Sequence, residues 1–247
     1  MQKRGQISIF LILGVVIVLT SIIFLYFTSS DVTTSVEQLE IDANINSIVE
    51  SCLESAFHEG IQFLSAQSGF YQPTEPYYEY FEIRIPYLFA GETLISPTIS
   101  NTEKQINLIM HERIQPCLTY IYQIKDNVEM EEPIIQSKIT EDQVDLNMKL
   151  PIKIYSDDAV KELSKFSFSK KVQLGQAIKL TQQILQQQEE FPNDVRTSFL
   201  TELGDLHNIN FNLIHVNNTV LYNIIFTNEN FYQNEYKFQF AMRYNWQ

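Results

Sequence analysis

The sequence predicts an α+β protein: an N-terminal transmembrane helix continuing into a long helix, a second helix packed on it, then an antiparallel sheet with helices on one face. Three observations predict it. Residues Ile7 to Phe27 carry no charge. Apolar residues recur at helical spacing through residues 32–64 and 106–124. After Pro133 the apolar period falls from 3.6 to 2, and alternation dominates from Ile209 to Tyr244. The expected organisation is an anchor over residues 1–30, a helical region with a Tyr-rich loop over 31–132, and an α+β domain over 133–247.

The uncharged run ISIFLILGVVIVLTSIIFLYF has 21 residues. As a helix at ~1.5 Å per residue it reaches about 31 Å, the thickness of a hydrocarbon core. Lys3 and Arg4 precede it, and Asp31, Glu37 and Glu40 follow. The positive-inside rule places the N-terminus in the cytoplasm and the rest outside. The competing reading is a cleaved secretory signal, whose apolar core is usually ~7–15 residues. The whole chain carries 17 Lys+Arg against 30 Asp+Glu, a net charge of −13. With Lys3 and Arg4 set aside, 15 basic residues face 30 acidic ones, so residues 31–247 carry −15. That balance argues against nucleic acid as a partner, because phosphate contacts need a basic surface.

Residues 31–68 read as a long helix. Its stripe runs through Ile45, Ile48, Val49, Cys52, Leu53, Ala56, Phe57, Ile61 and Leu64, and Gly69 suits its end. The segment FYQPTEPYYEYF, with two Pro and six aromatic rings, opens a loop over 70–100. Glu82 to Ile85 alternates as a short strand within it. The rings read either as packing or as a binding surface, since Tyr supplies contact area at little entropic cost.

Residues 102–127 read as a second helix with Ile106, Ile109, Met110, Arg113, Ile114, Cys117, Ile121 and Ile124 on one face. Asn101 or Thr102 is the expected cap, Glu103 meets the helix dipole, and Pro116 kinks or breaks the helix. Val144 to Ile154 alternates as a strand in which Pro151 marks an edge or bulge. Ile134 to Ile139 pairs with it, and Lys165 to Ser169 adds a short strand. Val172 to Phe191 is a helix with a Gln-rich outer face: Gln182, Gln183, Gln186, Gln187 and Gln188. A short helix over Asp194 to Leu203 closes at Gly204. Ile209 to Val216 and Val220 to Phe226 form a hairpin about Asn217-Asn218, and a loop near Asn228-Glu229-Asn230 leads to a third strand.

Lys3-Arg4-Gly5-Gln6-Ile7-Ser8-Ile9-Phe10, followed by the apolar run, resembles the class III, prepilin-type signal of archaeal pilin-like proteins. The resemblance implies cleavage after Gly5, leaving Gln6 as the new N-terminus. Phe10 stands where that family usually carries Glu. The chain is also similar to membrane-anchored archaeal proteins of unknown function with a Cys-containing helix, here Ser51 to Glu54, and an aromatic β segment, here Phe238 to Tyr244.

Cys52 and Cys117 lie on the apolar faces of the two N-terminal helices, and outside the cytoplasm they can form a disulfide; the alternative is two buried thiols. His58 and His111 each lie six residues from a Cys. Six helical residues turn the chain by about 240° net, so one tetrahedral metal site does not gather all four. Ser167-Phe168-Ser169-Lys170 fits S-x-x-K without its companion boxes. Glu129, Glu131 and Glu132, like Glu141, Asp142 and Asp145, read as solvated faces rather than calcium ligands. Asn217-Asn218-Thr219 is a glycosylation sequon at Asn217. No catalytic residue, metal or cofactor is expected. The expected partners are the lipid bilayer at residues 7–27 and a protein or second copy along the long N-terminal helix. The reading is a single-pass extracytoplasmic structural or binding protein of the cell envelope, its rival an envelope hydrolase whose site forms only on folding.

Overall fold

The computed structural model describes residues 45–124, 127–156, 159–231 and 234–246. The expected membrane span at 7–27 and the processing site at Gly5 and Gln6 lie outside them. Among the described residues no helix is long and apolar enough to cross a membrane. Residues Val49–Gln247 make one compact unit.

Helix α1 covers residues 45–66. Its predicted stripe is buried: Val49, Leu53, Phe57, Ile61 and Leu64 are fully shielded. It ends as predicted at Gly69, which has φ +83° and donates its N–H to Leu64 O at 2.7 Å. A Cβ at Gly69 would also sit 2.8 Å from Thr102 Oγ1.

Helix α2 (Ile99–Ile124) starts earlier than expected. Thr98 caps it, its Oγ1 accepting from Asn101 N–H at 3.2 Å. Glu103 does not serve the dipole; its carboxylate accepts from Ile139 N–H at 2.9 Å. The helix runs through Pro116 without breaking. Arg113, placed on the predicted face, is exposed, and Leu118, left off it, is buried. The pair α1–α2 is antiparallel: Cys52 meets Cys117, and a Cβ on Gly60 would touch Ile109 and Met110.

The region read as a loop holds three strands, β1 (Tyr77–Tyr80), β2 (Ile83–Ala90) and β3 (Thr93–Leu94). Pro86 sits where β2 changes partners. Strand β2 pairs with β1 up to Pro86, which lies opposite Tyr77, and from Tyr87 onwards it pairs with another strand across its opposite edge; the N–H that continues the β1 side is that of Tyr87, bonded to Pro76 O at 3.2 Å.

The rest of the chain adds β4 (Val128–Met130), β5 (Ile134–Ile139), β6 (Gln143–Ser156), β7 (Ala159–Lys171), α3 (Leu174–Glu190), α4 (Thr197–His207), β8 (Asn210–Val216), β9 (Thr219–Phe231) and β10 (Asn234–Arg243). Two sheets form instead of one. The first runs β1-β2-β10-β9-β8 with β3 on β2; the second places β4, β5 and β7 around β6. The first is mixed, because β2 and β10 are parallel. Strands on both sides of residue 132 pair with each other, β2 with β10 and β4 with β6. Pro151 marks a bulge as predicted, in the central strand β6. Asn217-Asn218 is the two-residue turn expected, with Asn217 at φ 53°. The strands β9 and β10 extend through the expected loop at 228–230, with an irregular register between Glu235 and Tyr236.

The helices do not share one face. On α1, Phe57 meets Phe168 of β7 at 5.1 Å and Phe231 of β9 at 6.3 Å, so this helix joins the two sheets. Helix α2 covers a sheet edge: Asn107 Oδ1 accepts from Ser137 N–H at 2.8 Å, and Tyr122 exchanges two hydrogen bonds with Met130. Strand N–H groups that would otherwise template another chain are thereby satisfied. The start of α3 presses on the β5–β6 turn. A Cβ at Gly175 would lie 2.0 Å from Thr140 O, so only Gly fits. The Gln-rich face of α3 is not simply solvated. Gln182 donates to Pro97 O at 2.8 Å, and Gln188, 3% exposed, donates to Phe191 O at 2.8 Å. Helix α4 closes at Asn208, in the left-handed region at φ 53°, rather than at Gly204.

Candidate functional site: an aromatic hairpin

Strands β1 and β2 form a hairpin at the end of the six-stranded sheet, with Tyr80 opposite Ile83 and Phe81-Glu82 as its two-residue turn. Both turn residues have positive φ, 46° and 68°. Right-handed strand twist selects such turns, but Asn-Gly is the pairing that relieves their strain. Left-handed backbone costs roughly 1–2 kcal/mol for a residue carrying a Cβ. Phe81 is nevertheless 83% exposed, with its ring against solvent. Tyr80, 42% exposed, meets it edge-on at 4.6 Å, and Tyr78 stacks behind Tyr80 at 6.5 Å.

The base of the hairpin is fixed. Tyr78 and Ile83 pack against Ile85, Tyr87, Leu221 and Ala241 on the sheet. Arg243 lies over the Tyr87 ring at 4.3 Å, and the Tyr87 hydroxyl bonds Thr219 Oγ1 at 2.9 Å. On the opposite face Arg84 covers Tyr77 at 5.2 Å. The aromatic segment therefore divides: Tyr78 and Tyr87 anchor, Tyr80 and Phe81 project. Sequence reading caught the rings and, at Glu82 to Ile85, the start of β2, but not β1, β3 or the rest of β2, because Pro73, Pro76 and Pro86 mimic a loop.

The other predicted residues are distributed as follows. Cys52 and Cys117 are bonded, with Cα atoms 5.8 Å apart; Cys52 is buried and Cys117 half-buried. Asn217 is exposed at its turn, while Thr219 of the same sequon is held by Tyr87. His58 is buried against Phe231 at 5.0 Å, and His111 is exposed. Among the described residues no three His, Cys, Asp or Glu converge as for a metal ion. Ser167 to Lys170 lie within strand β7, not at a helix start.

Several carboxylates serve the chain itself. Asp145 accepts from Ser169 and Gln143 at 2.6 Å each, and Glu129 accepts from the Tyr155 hydroxyl at 2.7 Å, which raises the tyrosine's pKa. Lys179, 2.9 Å away, holds the Glu141 carboxyl below its usual range.

Sequence reading missed a groove of about 590 Å³ on the outer face of the four-stranded sheet. Ile134, Gln136, Asn147, Lys149, Lys165 and Ser167 border it. Lys149 and Lys165 are directly opposite in the β6–β7 pair, an arrangement that destabilises a ladder by up to about 1 kcal/mol. The signal was present, since both positions fall on the outward parity of alternating segments; the pairing register was not. A cavity of about 340 Å³ lies between α4 and β8, beside Thr201, Asp205 and Phe211. Comparison with protein-family models, curated proteins and solved structures returns no match to this chain.

Proposed function

We propose that the chain is a single-pass, membrane-anchored, extracytoplasmic structural or binding protein of the cell envelope, which makes its contacts through the β1–β2 hairpin. The observation that carries this reading is Phe81: a bulky ring at positive φ, exposed at the tip of a hairpin whose base is rigidly packed. Strain held at an exposed aromatic position is a functional signature, because folding alone favours a smaller residue there. Tyr80 and Phe81 are rings of the kind that dominate contact energy in interfaces.

Two further features support the location. The Cys52–Cys117 bond suits an oxidising compartment. The 21-residue uncharged run, basic before and acidic after, suits an anchor with its N-terminus inside. The resemblance of residues 3–10 to a prepilin-type signal supports processing between Gly5 and Gln6 and a pilin-like variant of this reading.

Two measurements test the reading. Photo-crosslinking from a benzoylphenylalanine at position 81, in cells, is expected to give a defined adduct; its absence contradicts the binding role. Mass spectrometry of the native chain is expected to find Gln6 or Met1 first, and a start near Asp31 contradicts the anchor.

A further inference from the structure

The geometry points to a second copy of this chain as the partner of the hairpin: the finger of one molecule seats in the groove between Lys149 and Lys165 of the next. This inference rests on the hairpin being a binding surface and names what it binds. Three observations carry it.

The first is charge. The chain carries −13, so copies of it share a net charge of one sign and repel one another. The groove departs from this balance. Lys149 and Lys165 face each other across β6 and β7, and among the described residues neither has a carboxylate within ion-pair distance. Their neighbours Gln136, Asn147 and Ser167 are neutral. The finger carries Glu79 and Glu82 on either side of Tyr80-Phe81 against one cation, Arg84, which lies opposite Glu79 in the hairpin register and over the Tyr77 ring, so the tip at Glu82 is acidic. Carboxylates brought to the two lysines relieve a repulsion that the isolated fold retains.

The second is apolar complementarity. Ile134 is 59% exposed at the rim of the groove, and Phe81 is 83% exposed at the tip of the finger. Each is a large side chain that the monomer leaves in water, and together they form an apolar centre with charges around it, the usual anatomy of an interface.

The third is position. The finger belongs to the six-stranded sheet and the groove to the four-stranded sheet. Two different patches that fit each other make a heterologous contact. Such a contact propagates from copy to copy, into a ring if the rotation closes and a filament if it does not.

The test uses the full-length chain in its membrane, with benzoylphenylalanine at position 81 and an equal mixture of ¹⁴N and ¹⁵N protein. The expected adduct joins position 81 of one copy to the peptides carrying Ile134, Lys149 or Lys165 of the other isotope. Lys149→Glu with Lys165→Glu lowers that adduct about tenfold or more, and so does Glu79→Lys with Glu82→Lys. The two double variants mixed restore it, because reversed finger then meets reversed groove. Circular dichroism of each variant checks that it folds, and the mixed sample reads the contact independently of single-variant stability. An adduct confined to one isotope, or to another protein, a glycan or lipid, overturns self-docking while leaving the hairpin a binding surface. No adduct of any kind removes both. Loss on charge reversal without recovery on mixing also overturns the inference.

Discussion

At the scale of single residues, the positions that matter most are those where chemistry leaves no alternative. Gly175 is one. A methyl group there would overlap the Thr140 carbonyl at 2.0 Å, and both partners are backbone. Gly175→Ala is expected to cost about 3 kcal/mol or more, lowering the melting temperature by roughly 6 °C or more, as calorimetry would show. The tyrosine pair of the core is another. The hydroxyls of Tyr222 and Tyr244 are 2.5 Å apart, and Tyr244 donates to Gln188 Oε1 at 2.8 Å. Burial pushes the Tyr222 pKa up to about 12, only partly offset by its bond to Tyr244, and burial pushes Tyr244 up as well. The folded chain therefore keeps protons that the unfolded chain releases near pH ~10. Stability is expected to hold below that pH and to fall steeply between about pH 10 and 12, as urea titrations at stepped pH would show. Tyr244→Phe should flatten part of that fall while costing about 1–3 kcal/mol at neutral pH, because Gln188 loses a buried donor.

At the scale of elements, the hairpin is where local preference and observed structure disagree. Phe81-Glu82 occupies a turn that Asn-Gly would form with less strain. Replacing both residues, Phe81→Asn with Glu82→Gly, is expected to raise stability by about 1–2 kcal/mol, read as a higher urea midpoint with unchanged slope, and to remove the exposed ring. A destabilised product would show that Phe81 is part of the packing after all. The same element shows what sequence reading resolves. Val144 to Ile154 and Asn217-Asn218 were legible because one face of each strand is buried and the turn residues tolerate positive φ. Of β1 and β2 only the stretch from Glu82 to Ile85 was legible, because Pro76 before β1 and Pro86 inside β2 read as breaks until the pairing is known. Thr98 likewise took the cap expected at Asn101 or Thr102, since both lie within the helix, where Thr102 N–H already donates to Thr98 O at 2.9 Å.

At the scale of the whole molecule, two sheets are held together by helices that touch both, and one disulfide ties α1 to α2 across 65 residues of chain. In the loop-entropy account, whose mechanism is model-dependent, a link of that length is worth about 4 kcal/mol. The cysteine pairing was legible from parity and from the compartment the sequence leads one to expect; the groove at Lys149 and Lys165 was not, because it exists only once β6 and β7 are in register. On the proposed topology this acidic, disulfide-tied unit stands outside the cell on an anchor at residues 7–27. Protease treatment of intact cells tests it most directly. The full-length chain is expected to disappear, and peptides from residues beyond 30 to be released without lysis. A chain untouched until the membrane is broken would contradict it.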